Sequence, residues 1–295
     1  MRSQAILLCS CSLALAAMTA WAQTTPQTQE RTTKTNQVSR PRSFIKASDF
    51  IKYDVENDKG EDLGDVKELL YDPVHERVAV IAVSHGGVLG VGDKLYAVPW
   101  NAMTLSPDGK KKILLKFNKD QIKQAPRIDT DHWPETIDPQ MVKEFTTFYS
   151  VTPYWADEDN ASKADNPTDS SKTMFLRRVS AILDAKVEND SGEKLGKVED
   201  LAVSTEEGRI LYAVLSFGGV LGVGDKYFAL PIGCFDFKGQ DPKKLVLHID
   251  KEKLKSAPGF DKSAWPNMAD ERWVNDIHSY YNQKPYWDRN KSSSQ

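Results

Sequence analysis

The segment of this sequence with the clearest potential for chemistry is GGVLGVGDK, at residues 86–94 and again at residues 218–226. Glycine-rich turns expose backbone N–H groups that can bind phosphate. A nucleotide-binding P-loop, however, needs the pattern G-x-x-x-x-G-K-[ST] followed by a helix. Here an Asp-Lys pair follows the last glycine, and a strand-like stretch comes next. We therefore predict that these glycines supply positive φ angles in a long hairpin.

The other residue types that carry chemistry do not form a recognisable catalytic or metal-binding set. The five histidines are scattered. Two of them are not kept where the surrounding sequence recurs later in the chain: Phe217 stands at the position that matches His85, and Ala264 at the one that matches His132. Cys234 lies close to apolar residues, which favours a buried, inert thiol over a nucleophile. No G-x-S-x-G motif, no Cys/His pairing and no recurrent carboxylate pair stands out as a catalytic set. The sequence thus predicts no catalytic residue, no metal site and no cofactor.

The N-terminus has the pattern of a secretory signal. A positive start at Arg2 is followed by an apolar run over residues 5–20, and A-x-A ends at Ala22, before Gln23. An uncleaved membrane anchor is the alternative, but the run is shorter than the roughly 20 residues that a spanning helix needs. Lipid attachment at Cys9 or Cys11 is disfavoured because two leucines precede Cys9. We expect cleavage near Ala22 and export, to the periplasm of a bacterial envelope.

The charge balance argues against one class of partner. The whole chain has a formal net charge of −3, and removal of Arg2 makes it slightly more acidic. Nucleic-acid-binding domains carry a basic patch or stripe, so we expect no nucleic acid partner. No second apolar run is long enough to span a bilayer, so no mature transmembrane segment is predicted.

An internal repeat organises the rest of the chain. VEND at residues 55–58 recurs at 187–190, and the glycine segment recurs with the same offset. The same offset places Trp133 on Trp265 and Trp155 on Trp287. A shared offset over so many motifs indicates duplication of one unit. The two copies also differ at some matching positions, such as Trp100 in the first and Ile232 in the second, and the sequence alone does not indicate the purpose of these differences.

Each copy has turn signals between short strand-like segments, followed by segments with helical patterns. The runs VAVIAV (78–83) and ILYAVL (210–215) are apolar throughout, as in strands buried on both faces. With the turn signals they predict about six short strands per copy, enough for a closed or nearly closed small barrel. Asn118 and Asp250 are predicted N-caps of short helices, and longer amphipathic helices are expected from Pro139 and after Asp270.

The pattern VENDxGExLGxVxDL, then an apolar strand, then GGVLGVGDKxxAxP closely resembles the PRC-barrel family, in both copies. The resemblance implies a mainly β fold with accessory α: two tandem small β-barrels, each followed by a short helical extension. It also implies a role in assembly and protein contact, without shared catalytic residues. The structural glycines of this motif are Gly60, Gly64, Gly86, Gly87, Gly90, Gly92, Gly192, Gly196, Gly218, Gly219, Gly222 and Gly224.

These observations predict a domain order. It is a signal peptide (1–22), a disordered linker (23–42), a first PRC-barrel-like domain (43–125), a helical extension (126–156), a polar linker (157–173), a second PRC-barrel-like domain (174–257), a second helical extension (258–288) and a tail (289–295).

The functional expectation is a non-catalytic interaction or scaffold protein with an unknown protein partner. Two related surfaces on one chain could raise avidity for a target that meets both. The alternative is a small-molecule-binding protein that uses the barrel mouth or the aromatic extension, which needs a real cavity there. Aromatic packing and solvated turns are the simpler interpretation of the same residues. The candidate interaction surface comprises Asp93, Lys94, Asp225, Lys226, Trp133, Trp155, Trp265 and Trp287.

Overall fold

The computed structural model describes residues 40–84, 95–137, 139–152, 154, 174–217, 226–237, 241 and 243–289. The elements of the first repeat are β1 (Phe44–Lys46), α1 (Ala47–Phe50), β2 (Asp54–Asn57), β3 (Asp62–Asp72), β4 (Arg77–Ser84), β5 (Leu95–Pro99), a 3-10 turn (Trp100–Ala102), β6 (Met103–Leu105), β7 (Lys112–Leu115), α2 (Lys119–Ile122), β8 (Arg127–Ile128), β9 (Thr136–Ile137) and α3 (Pro139–Tyr149).

The second repeat follows a similar order, but within the described residues it begins with an additional strand and has no strand at the positions of β8 and β9. Its elements are β10 (Met174–Phe175), β11 (Arg177–Arg178), α4 (Val179–Ile182), β12 (Lys186–Glu188), β13 (Lys194–Ser204), β14 (Ile210–Phe217), β15 (Lys226–Pro231), a 3-10 turn (Ile232–Cys234), β16 (Phe235–Asp236), β17 (Lys244–Leu247), α5 (Lys251–Lys255), α6 (Glu271–Tyr281) and α7 (Tyr286–Arg289). The predicted fold class, mainly β with accessory α in two tandem barrel units, is confirmed.

Each repeat builds one curled sheet. The first has the order β6-β7-β2-β3-β4-β5-β8, and the second has β15-β14-β13-β12-β17-β16. Neighbours are antiparallel except for the parallel pairs β2–β7 and β12–β17. The two predicted core strands, β4 and β14, are buried almost end to end. Continuous apolar sequence therefore marks strands covered on both faces, as expected.

The VEND motif organises the first turn of each sheet. The Asn57 side chain is 4% exposed; its Oδ1 accepts the backbone N–H groups of Lys59 and Glu61, at 3.0 and 2.9 Å. Asn189 accepts the equivalent pair of N–H groups in the second repeat. One buried amide thus satisfies a tight turn that would otherwise leave backbone groups unpaired.

Four of the motif glycines lie in described residues, and all four have positive φ: Gly60, Gly64, Gly192 and Gly196. Gly196 is the most constrained, because a Cβ there would lie 1.9 Å from the Ser216 carbonyl oxygen on the neighbouring strand. The other eight, Gly86, Gly87, Gly90, Gly92, Gly218, Gly219, Gly222 and Gly224, lie outside the described residues.

The predicted helices form, but Asp250, one of the two predicted N-caps of short helices, makes no side-chain hydrogen bond to α5 and does not cap it. Asn118 makes a capping box with Gln121, and Asp270 caps α6 through the N–H groups of Arg272 and Trp273. The long helices α3 and α6 bury one apolar face each, with Phe145 of α3 fully buried. Within the described residues, no helix is long and apolar enough to cross a membrane.

Each repeat contributes one strand from near its start to the sheet of the other repeat. Strand β1 of the first repeat pairs with β13 of the second, and β11 of the second pairs with β3 of the first. The domain boundaries predicted from the repeats, 43–125 and 174–257, therefore follow the sequence copies but cut across the sheets. Sequence periodicity shows that a segment is a strand, but it carries no information about which sheet that strand joins.

Candidate functional site: the seam between the repeats

Buried carboxylates hold the exchanged segments. Ser48 of α1 donates its backbone N–H to Asp200 Oδ1 of β13 at 3.0 Å, and its hydroxyl to Oδ2. Asp200 is only 5% exposed, and burial raises the pKa of its carboxyl group. In the other direction, Ser180 of α4 donates its backbone N–H to Glu68 Oε1 of β3 at 3.0 Å, and its hydroxyl to Oε2. Each repeat therefore caps the first helix of the other.

Two tryptophans of the candidate interaction surface pack on the same exchanged segments. The Lys46 ammonium lies 4.0 Å from the ring centroid of Trp265, and the Arg178 guanidinium lies 5.0 Å from that of Trp133. Lys46 and Arg178 occupy equal positions in the repeat, as do the two tryptophans. Such cation–π contacts are worth about 0.5–1 kcal/mol at exposed sites and more when desolvated. These rings hold the repeats together.

A second set of contacts crosses the seam at the β3–β4 and β13–β14 turns. The Val78 N–H donates to the Gly208 carbonyl and the Ile210 N–H to the Glu76 carbonyl, both at 2.8 Å. Arg77 forms an ion pair with Glu207 at 3.1 Å. The two turns therefore pair with each other as a short antiparallel bridge.

Tyr154 and Tyr286, which lie in the two helical extensions, cover this bridge. The Arg77 guanidinium lies 4.8 Å from the Tyr154 ring centroid, and the Arg209 guanidinium lies 4.4 Å from that of Tyr286. Tyr154 also donates its hydroxyl to Asp72 Oδ2 at 3.0 Å. Tyr154 and Tyr286 of the two helical extensions thus pack back on the barrels at the seam.

Trp287 is buried and leaves little room for a ligand. It is 8% exposed and makes edge contacts with Tyr286 and His278. The cavity beside it, between Tyr212 and Arg289, has a volume of about 10 Å³. A cavity of that size holds about one water molecule. The three described tryptophans of the candidate surface thus contact other parts of the chain, and their role in partner binding stays a prediction.

The seam also buries polar groups with little reactivity. Burial raises the pKa of the Cys234 thiol to about 12, so the predicted inert thiol is confirmed as buried. His278 is 8% exposed, and burial lowers the pKa of its imidazole. In the described part of the chain, the buried hydroxyls of Tyr71 and Tyr281 have no hydrogen-bond partner, and no group of three or more His, Cys, Asp or Glu could hold a metal ion.

The charged part of the candidate surface is described at one position. Lys226 is the first residue of β15, is exposed, and lies opposite Phe217 across the β14–β15 pair. Asp93, Lys94, Asp225 and Trp155 lie outside the described residues. The role of these residues in partner binding stays a prediction.

Sequence reasoning missed the four residues whose hydrogen bonds hold the exchanged segments in place. Ser48 matches Ser180, and Glu68 matches Asp200, at the offset of the repeat. A hydroxyl and an acid kept at matching positions in both copies is the signal that could have found them, because buried acids need hydrogen-bond partners.

Comparison with protein families agrees with the fold. The sequence model of the PRC-barrel domain matches residues 43–122 and residues 176–254, which together cover more than half of the chain. Both matches include the exchanged strand of their repeat. No curated protein matches the chain. The chain therefore belongs to the PRC-barrel domain family, and it carries two copies of that domain in tandem.

Proposed function

We propose that this protein is a non-catalytic interaction or scaffold module of the bacterial cell envelope, exported to the periplasm after cleavage near Ala22. The observation that carries the proposal is the reciprocal exchange of β1 and β11 between the sheets. Two related barrels joined in this way keep a fixed separation and orientation. Matching surfaces on them can engage a repeated or symmetric target at both points, which raises the effective concentration of the second contact.

The proposed contact residues are the Asp-Lys pairs at 93–94 and 225–226. The glycine segment that ends in these pairs is identical in both copies, whereas neighbouring segments have diverged. The strands on either side of it pair directly: Ser84 with Leu95, and Phe217 with Lys226. Identical segments at equivalent places in two linked sheets support one binding chemistry presented twice.

The test is affinity capture from envelope extract with the mature chain, residues 23–295, followed by binding measurements with the purified partner. Asp93→Ala/Lys94→Ala and Asp225→Ala/Lys226→Ala are compared singly and combined. We expect each pair of substitutions to weaken binding and the combination to weaken it by more than about tenfold, because bivalent contact is lost.

The matched control removes an equivalent charge pair elsewhere. Asp120 and Lys123 form an exposed ion pair at 2.8 Å on and after α2, and their replacement by alanine should leave binding unchanged. If the combined variant binds its partner as tightly as the wild type, the Asp-Lys pairs are not the contact surface. If no protein is retained and a small molecule co-purifies, the scaffold proposal is wrong.

Export is tested separately. Cell fractionation and N-terminal sequencing of the native protein should find a chain that starts at Gln23 in the periplasmic fraction. A cytoplasmic chain that retains residues 1–22 contradicts this part of the proposal.

A further inference from the structure

The two repeats differ at the positions where they meet most closely. Trp100 of the first repeat occupies the place that Ile232 has in the second, and Glu76 occupies the place of Gly208. At the seam, each of these positions faces the opposite repeat. Gly208 lies against Trp100 on one side, and on the other Glu76 lies beside Gly233 and lines a small cavity together with Ile232.

The first contact accepts only glycine. Gly208 has φ +66, and a Cβ there would lie 2.5 Å from Cδ2, 2.8 Å from Cγ and 2.9 Å from Cε2 of Trp100. The indole is 6% exposed and packs 5.2 Å from the Phe50 ring, measured between centroids. A ring enclosed in this way has little freedom to move aside for a side chain.

The second contact accommodates a long acidic side chain at the equivalent backbone position. Glu76 has φ 57, close to that of Gly208. Its carboxylate forms an ion pair with Arg289 at 2.8 Å, and a Cβ at Gly233 would lie 3.3 Å from its Oε1. Ile232 and Gly233 thus leave the room that Glu76 fills.

We propose that the seam is a heterotypic interface: each repeat fits the unlike repeat and rejects a second copy of itself. Pairing of two first repeats would place Glu76 against Trp100, where the structure leaves no space even for a Cβ. Pairing of two second repeats would place Gly208 against Ile232, and the smaller side chain would leave a void.

Charge also disfavours a pair of first repeats. Arg77 pairs with Glu207 across the seam, but the first repeat has His75 at the position of Glu207. A pair of first repeats would therefore lose this carboxylate. The divergence of Trp100 from Ile232 is explained in this way: the repeats have become complementary, so the exchanged segments close within one chain or between unlike repeats of two chains.

The first test uses the full chain with a protease site inserted between residues 157 and 172. The folded chain is cleaved, unfolded in urea and refolded, and the products are weighed by native mass spectrometry. We expect complexes of one first half and one second half. Like pairs in amounts comparable to unlike pairs would overturn the proposal.

A double-mutant cycle in the uncleaved chain keeps the proposal testable if the halves do not refold. Gly208→Glu should lower the folding equilibrium constant about 100-fold, because it overpacks the seam against Trp100. Trp100→Ile combined with Asn101→Gly recreates the Ile232–Gly233 pair of the other side, so adding Gly208→Glu to this background should lower the constant at least about tenfold less. An equal effect of Gly208→Glu in both backgrounds would contradict the assigned complementarity.

Discussion

Removal of the Ser48 hydroxyl tests whether the hydrogen bonds to Asp200 hold the exchanged segment in place. Ser48 donates its hydroxyl to Asp200, and this carboxylate keeps only backbone donors, from Ser48 and Leu201, when the hydroxyl is removed. A hydrogen bond to a charged group contributes about 1.5–3 kcal/mol, and alanine returns up to about 0.5 kcal/mol in helix propensity. We therefore expect Ser48→Ala to lower the free energy of unfolding by about 1–2.5 kcal/mol.

The assay is urea unfolding at pH 8, followed by tryptophan fluorescence and far-ultraviolet circular dichroism. The matched control is Ser263→Ala, which removes a serine-to-aspartate bond of 2.6 Å to Asp261 on the surface. An exposed bond of this kind should change stability by less than about 0.5 kcal/mol. If Ser48→Ala is no more destabilising than Ser263→Ala, the buried carboxylate does not hold the exchanged segment. We also expect both probes to report one transition, because each sheet contains a strand of the other repeat.

Three further outcomes follow from individual residues. Gly192→Ala should lower the free energy of unfolding by about 1 kcal/mol, since a Cβ there meets open space at φ +76. Gly196→Ala should prevent stable folding because its Cβ would lie 1.9 Å from the Ser216 carbonyl oxygen, and thermal melts of both variants check this contrast. Burial lowers the pKa of His278 below 6.5, so acidification through pH 6.5 protonates this residue in the unfolded chain first and destabilises the fold. Urea midpoints at pH 7.5 and 5.5 should therefore differ less in His278→Gln than in the wild type, and an equal difference would refute this. Cys234, with a thiol pKa raised to about 12 by burial, should resist a thiol reagent at pH 8 in the native protein and react in urea, and fast native labelling would contradict its burial.

Much of the local structure could be predicted because local physics specifies it. Six continuous apolar residues in VAVIAV need cover on both faces, and β4 is buried accordingly. Asn118 and Asp270 cap their helices because a side-chain acceptor satisfies the first free N–H groups. These signals lie within a few residues of the element that they predict, so one sequence suffices to find them.

The contacts of the candidate site could not be predicted from the sequence. Trp133 and Trp265 stood out as repeated aromatic residues, but their partners, Arg178 and Lys46, lie in the opposite repeat. An aromatic ring that packs on a cation of the same chain and one that binds a partner have the same sequence signature. Only the fold distinguishes these two roles.

The sequence by itself determined the duplication, the strand and helix order, the family and the buried faces, because each depends on composition, spacing or a short motif. The tertiary structure alone decided that β1 and β11 change sheets, that Asp200 and Glu68 cap helices of the other repeat, and that Trp100 needs Gly208. These contacts join residues far apart in the chain. Their partners are chosen by the shape and charge of the assembled sheets, which no local pattern encodes.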